Sequence, residues 1–191
     1  MFVDPDGETV WIYYKDGDGK LQYFMYCGQE MNSAHENIFV QQVVDALNYN
    51  IINGENENNG GGEASKEAVY NTSVDISIIF GYRPIHDAKG GVFWNPILAS
   101  ETDGAMLSPA TILDHELNHA IQYKTKYRKW IDDRSANDTD YTNLEEKRVI
   151  TGPEQKTAKA NGELKRGHNI TRKNHRGVYY LTNSPISNKR R

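Results

Sequence analysis

The run His115-Glu116-Leu117-Asn118-His119 constrains this chain more than any other part of it. On an α-helix, residues four apart share a face, so the two imidazoles can point at one spot, while Glu116 is turned about 100° away from His115. Two converging histidines with a carboxylate beside them suit a metal ion whose neighbouring carboxylate stays off the metal and takes a proton from water. The flanks say whether the helix forms. Ser108 followed by Pro109 supplies an N-cap and a first helical residue, and Ile112, Leu113, Leu117, Ala120 and Ile121 line the histidine side. A helix to about Lys126 is expected, with that side buried, and burial leaves two imidazoles needing a partner. Cys27 is the only cysteine, which removes a thiolate site and an internal disulfide. Zn2+ held by histidine and carboxylate is therefore the expected cofactor.

Catalytic zinc takes three protein ligands and keeps one position for water. A third histidine ten residues past His115 is absent, because that position is Thr125. The segment Asn143-Leu144-Glu145-Glu146-Lys147-Arg148-Val149-Ile150 offers a carboxylate instead, and two adjacent glutamates compete for the role. Thr142 and Glu145 have capping-box spacing, so Glu145 is expected to fold back on the helix N-terminus. Glu146 shares a side with Val149 and Ile150 and is the expected ligand beside His115 and His119. Glu116 is the expected general base. A further donor is needed for the oxyanion, and His168, His175, Tyr141, Tyr179 and Tyr180 are the candidates.

The rest of the sequence reads as one α+β domain over residues 1–191, a small β-sheet packed on the histidine helix and a second helix carrying the glutamate. In the N-terminal hairpin region, 1–30, β-rich runs at Thr9–Tyr14 and Leu21–Tyr26 flank a turn-rich stretch; Asp16 and Asp18 lack the later acids of a calcium loop. Ser33 and Glu36 form a capping box before a helix with Ile38, Val40, Val43, Val44 and Leu47 on its apolar side. Asn48–Ser65 (the block 48–66) is expected to be a flexible Asn/Gly-rich loop. Strands are expected at Val74–Ile78, Gly90–Trp94 and Gly177–Thr182, a polar loop at Ile131–Tyr141, helices from Thr142 to Ile150 and from Pro153 to about Leu164, and a basic tail at 183–191. No apolar run reaches bilayer length, and Met1-Phe2-Val3-Asp4 has neither the basic stretch nor the apolar core of a signal peptide. The net charge of −4 argues against a nucleic-acid coat, yet Glu163 to Arg191 holds eight Lys or Arg and one acid. That excess is a solvated surface or, on the sharper reading, a basic face for an acidic substrate or partner.

Leu107–Ala120, then Asn143–Glu146 with Val149–Glu154, and then Gly162-Glu163, Arg166 and His168, resemble the NleD-like effector family of zinc metallopeptidases over roughly residues 90–170. The resemblance implies a zincin-type peptidase with a His-His-Glu zinc site, delivered to another cell, acting on a protein or peptide and met by a cognate inhibitor. It also favours His168 as the oxyanion donor. Phe2-Val3-Asp4-Pro5-Asp6-Gly7-Glu8 is similar to the segment that closes the core of Rhs/YD-repeat proteins, which implies the C-terminal toxin module of a longer chain. One position departs from the thermolysin-like pattern. Four residues past the ligand glutamate those enzymes carry an aspartate that orients the first histidine, and here stands Ile150, leaving Asp114 or Glu154 for that task.

The expected reaction is zinc-assisted hydrolysis of a peptide bond, with neither nucleic acid nor membrane as partner. Val92-Phe93-Trp94 either pairs with an extended substrate or is core sheet. Two other readings compete. His168-Asn169 and Asn174-His175 in the basic segment suggest a His-Asn-His nuclease, and a zinc-stabilised binding module would use the same ligands without turnover.

Overall fold

Alternation builds the first sheet. A computed structural model describes residues 10–29, 35–56, 60–71, 74–86 and 90–191. Strands β1 (Val10–Lys15) and β2 (Leu21–Tyr26) pair antiparallel, and the Asp16 carboxylate accepts the amides of Asp18 and Lys20, so it serves the turn. Strand β3 (Ile76–Phe80) joins β1 in parallel, β5 (Val92–Trp94) joins β3 in parallel, and β4 (Ile85–His86) closes the far edge antiparallel to β5. The order is β2-β1-β3-β5-β4.

One face of this sheet is core. Val10, Ile12, Ile76, Ile78, Val92 and Trp94 are buried with Phe39, Val40, Val43, Val44 and Leu47 of α1 (Ile38–Asn56) and with Leu113, Leu117 and Ala120 of α3 (Pro109–Thr125). The Trp94 indole N–H donates to the Pro109 carbonyl, which fixes the start of α3 against the sheet. A second sheet, β10-β6-β7, pairs β10 (Val178–Leu181) antiparallel to β6 (Leu98–Glu101) and β6 to β7 (Met106–Leu107), just before α3 begins. The architecture is mixed α+β. Among the described residues no helix is long and apolar enough to cross a membrane.

Several expectations are corrected. The first helix is capped by Asn37, whose Oδ1 accepts the amides of Phe39 and Val40; Ser33 and residues 1–9 lie outside the described residues. The polar block 48–66 is mostly helix, since α1 runs on to Asn56 and α2 spans Glu63–Tyr70. Asn50 explains this: it is fully buried, donating to Ser65 Oγ and the Ala110 carbonyl, so its polarity is satisfied inside the protein. Where a loop was expected at Ile131–Tyr141, α4 (Tyr127–Ser135) buries Trp130, and a short hairpin, β8 (Asn137–Asp138) and β9 (Thr142–Asn143), follows. The two expected helices 142–150 and 153–164 form one interrupted rod: α5 (Leu144–Val149), a π-helical turn (Ile150–Glu154) and α6 (Gln155–Ala160). Pro153 has no N–H to donate and sits inside the π turn, where the chain widens instead of stopping. The basic tail folds back on β10: the Tyr180 hydroxyl donates to the Asn188 carbonyl, and Arg190 stacks on the Tyr180 ring.

Candidate metal centre

Helix α3 forms as its sequence dictates, with Ser108 Oγ accepting the Thr111 amide and Pro109 in the first turn. His115 and His119 are buried on one face, with their Nε2 atoms 3.1 Å apart. Glu146, from α5, lies 3.4 Å from each: Oε2 from His115 Nε2 and Oε1 from His119 Nε2. Ligands held 2.0–2.1 Å from a tetrahedral ion are separated by edges of about 3.3 Å, which these spacings match. His115, His119 and Glu146 can thus hold one metal ion.

The other sides of the imidazoles strengthen the case. His115 Nδ1 is 2.9 Å from Glu154 Oε2, and His119 Nδ1 is 2.9 Å from Glu145 Oε1. Glu145 is gripped by Arg148 at 2.9 and 2.7 Å and by the Gln122 amide at 2.8 Å. Glu154 accepts from Thr171 Oγ1 at 2.7 Å and from the Arg172 guanidinium. Burial works to raise both carboxyl pKa values, but the arginines and histidines outweigh it and hold each at about 2. Ionised carboxylates at both Nδ1 atoms require N–H there, which leaves both Nε2 lone pairs facing each other. Two lone pairs at 3.1 Å repel unless a proton on one of them or a metal ion lies between them. Glu146 Oε2 is also buried without a hydrogen bond of normal geometry. The charge balance agrees: Glu145, Glu146 and Glu154 face Arg148 and Arg172, leaving one negative charge. Although burial opposes protonation of His115, Glu146 and Glu154 drive its pKa up to about 10, so the cluster calls for added positive charge. The donor set fits a divalent ion.

The glutamates divide their roles through backbone irregularities. Thr142 is left-handed, with φ 76°, and belongs to β9, so it cannot begin the helix. Asn143 is the cap, its Oδ1 accepting the Glu146 amide at 2.9 Å, and Glu145 is free to turn to His119 rather than to the helix end. Glu154 stands eight residues past Glu146. In an unbroken α-helix it would lie about 80° off the Glu146 side; one inserted residue in a π turn brings it within about 20°. The π turn thereby supplies the His115 partner that Ile150 does not. Asp114 faces elsewhere, accepting from Ser65 and Thr157 in the buried contact of α3 with α2 and α6.

Glu116 lies beside the cluster and outside it. Its Oε2 accepts the backbone amide of His86 at 2.8 Å, tying it to edge strand β4. A cavity of about 280 Å³ opens over the cluster. Toward the N-terminal end of α3 it is walled by Ser100, Leu107, Ile112 and Arg172, and toward the C-terminal end by His86, Trp130 and Arg134. Of the oxyanion candidates, His175 and Tyr179 line this cavity, with His175 Nε2 3.3 Å from Glu146 Oε2. His168 is exposed in the turn after Lys165 and is not among the lining residues, since that turn carries it past the cavity while the chain returns at His175. Tyr141 is not a lining residue either, and the Tyr180 hydroxyl is engaged by Asn188. Strand β5 is flanked by β3 and β4, so Val92-Phe93-Trp94 is core sheet, and among the described residues β4 is the edge strand at the cavity. His86, Trp130, Arg134, Asn143 and Arg172 carry no spacing signal that the sequence could have offered. Comparison of the chain with models of known families, with characterised proteins and with solved structures finds no match in any of the three.

Proposed function

We propose that the protein is a zinc-dependent peptidase of the zincin type. The observation that carries this reading is Glu116, a carboxylate fixed beside a three-ligand cluster, in a cavity, without being a ligand itself. A purely structural zinc site closes with four protein ligands, whereas three leave a position for chemistry. Zinc, when bound, supplies a Lewis acid and a more acidic water. The His86 amide engages Glu116 Oε2 and leaves Oε1 to receive the proton of the attacking water and return it to the departing amine. His175 and Tyr179 are the donors in reach of the developing oxyanion. Strand β4 is the edge strand of its sheet among the described residues and stands beside Glu116, where an extended peptide would lie. The resemblance over residues 90–170 supports the same chemistry. It also supports reading the chain as an effector or toxin module delivered to another cell, with a cognate inhibitor protein as its partner.

The test is metal analysis of protein purified without added zinc, followed by a peptide library with the wild type and Glu116→Gln. One zinc per chain is expected, and Glu116→Gln should keep it while cleavage falls about 10²–10⁴-fold, the usual worth of a positioned base. Protein that neither carries nor gains zinc sinks the proposal. Zinc without turnover would turn it into a binding module.

A further inference from the structure

The cavity has two unlike ends. Around Leu107 and Ile112 it offers apolar side chains beside an arginine already paired, while at the C-terminal end of α3 it is walled by Trp130, His86 and Arg134. Trp130 is almost fully buried, packed edge-on against Tyr123 and His86, and Arg134 lies one helical turn on with its guanidinium carbon 4.9 Å from the Trp130 ring centre. The other cavity arginine, Arg172, is held by Glu154. Arg134 has no such partner: among the described residues it makes no ion pair, and Asp133 beside it is taken by Lys129 and Gln122. Stacking leaves the donor edge of a guanidinium free while restricting its motion, which readies it for a two-pronged contact with an anion. In a chain of net charge −4, Arg134 thus stands on the cavity wall as a cation with no ion pair among the described residues.

We infer that Arg134, stacked on Trp130, selects peptide substrates by an anionic side chain close to the scissile bond. This rests on the peptidase reading and adds its substrate class. The contact is a charge-assisted, fork-shaped one, suited to a carboxylate or a phosphoryl group and hostile to lysine.

The experiment uses zinc-loaded protein and a fluorogenic peptide series varied one position at a time on both sides of the cleaved bond, with Glu, phosphoserine, Gln or Lys. At one position kcat/KM for Glu or phosphoserine should exceed that for Gln by about 10-fold or more, as expected of a hydrogen bond to a charged group. The larger of the two identifies the anion. Arg134→Gln should bring the ratio to near 1, and Arg134→Glu should invert it in favour of Lys. A ratio near 1 in the wild type, or one that survives Arg134→Gln, overturns the inference and leaves the peptidase reading standing. Binding of labelled peptides by Glu116→Gln provides a readout that needs no turnover. If the wild type cleaves nothing, the peptidase reading fails, and this arm decides for Arg134: acidic peptide bound more tightly than neutral, with the difference lost in the Arg134→Gln double variant, supports it, and equal binding overturns it.

Discussion

Two arms bring the three candidate metal ligands together, and they are built differently. Helix α3 is regular from Pro109 to Thr125, and its i and i+4 histidines need nothing beyond that regularity. The opposing arm, residues 137–160, is a hairpin, a left-handed Thr142, a six-residue helix, a π turn and a second short helix. The difference follows from the task. The first arm sends two side chains in one direction, which a helical period does unaided. The second sends three carboxylates to three places, Glu146 to the cluster, Glu145 to His119 and Glu154 to His115. No single helical period does that, so irregular backbone does it.

The sharpest test of this division is to remove the three carboxylates one at a time and titrate zinc. Glu146→Ala deletes a ligand and should show the largest loss of affinity. Glu145→Ala and Glu154→Gln each delete the partner of one imidazole and should cost about 10–100-fold, the usual worth of such partners. For Glu145 this is more than the loss of a helix cap that its spacing from Thr142 suggests, because Asn143 does the capping. Equal losses at all three positions would break the distinction between ligand and support.

Carboxyl groups are buried differently around the cluster and at the start of the first arm. Both carboxylates that support the histidines have an arginine, whereas Glu163, packed beside Ser108 and Thr111 at the start of α3, has none among the described residues. Burial pushes its pKa up to about 8, offset only in part by the neighbouring hydroxyls, and its oxygens make no hydrogen bond of normal geometry. A folded pKa above the unfolded 4.5 means that stability is fully present below 4.5 and is lost as pH rises through about 8. Glu163→Gln should therefore gain stability on the wild type across that window, on the order of a few kcal/mol by pH 8, with little difference below pH 4.5. Urea midpoints of both proteins at pH 4.5, 6 and 8 read this directly, and a constant gap at all three contradicts it.

The same contrast explains what the sequence disclosed. The spacing in α3, Ser108, Pro109 and the apolar residues around the histidines are local signals, and they were enough to bring His115 and His119 together. One helical face favours Glu146 over Glu145 for the cluster, and the geometry agrees, whereas Thr142, which the spacing makes the cap, does not cap the helix. The π turn was out of reach because its signal, Pro153, reads more readily as a helix start. Asn50 misled for the opposite reason: composition treats Asn as solvated, whereas here a partner on another helix satisfies it. His168 and His175 differ only in where a turn sends the chain, and no periodicity records that.

The smallest expected effect separates the arms most finely. Ser108 and Asn143 are both helix caps, and Ser108→Ala and Asn143→Ala should each cost about 1 kcal/mol of stability. For a chain of this length that is about 2–4 °C in Tm. Their consequences for the metal should not match. Ser108 accepts the Thr111 amide, one turn before His115 in a long helix buried against the sheet, so fraying there leaves both histidines in place. Asn143 accepts the amide of Glu146 itself, at the start of a helix only six residues long. Loosening that bond loosens the ligand, because short helices have little else to hold their first turn. Zinc affinity should thus fall several-fold in Asn143→Ala, on the order of 1 kcal/mol of cap energy felt at the ligand, and stay level in Ser108→Ala. Calorimetric Tm values and zinc titrations on the two variants in one buffer decide it. Matched losses of affinity would mean that the second arm is as firmly held as the first, and that its irregularity shapes the site without weakening it.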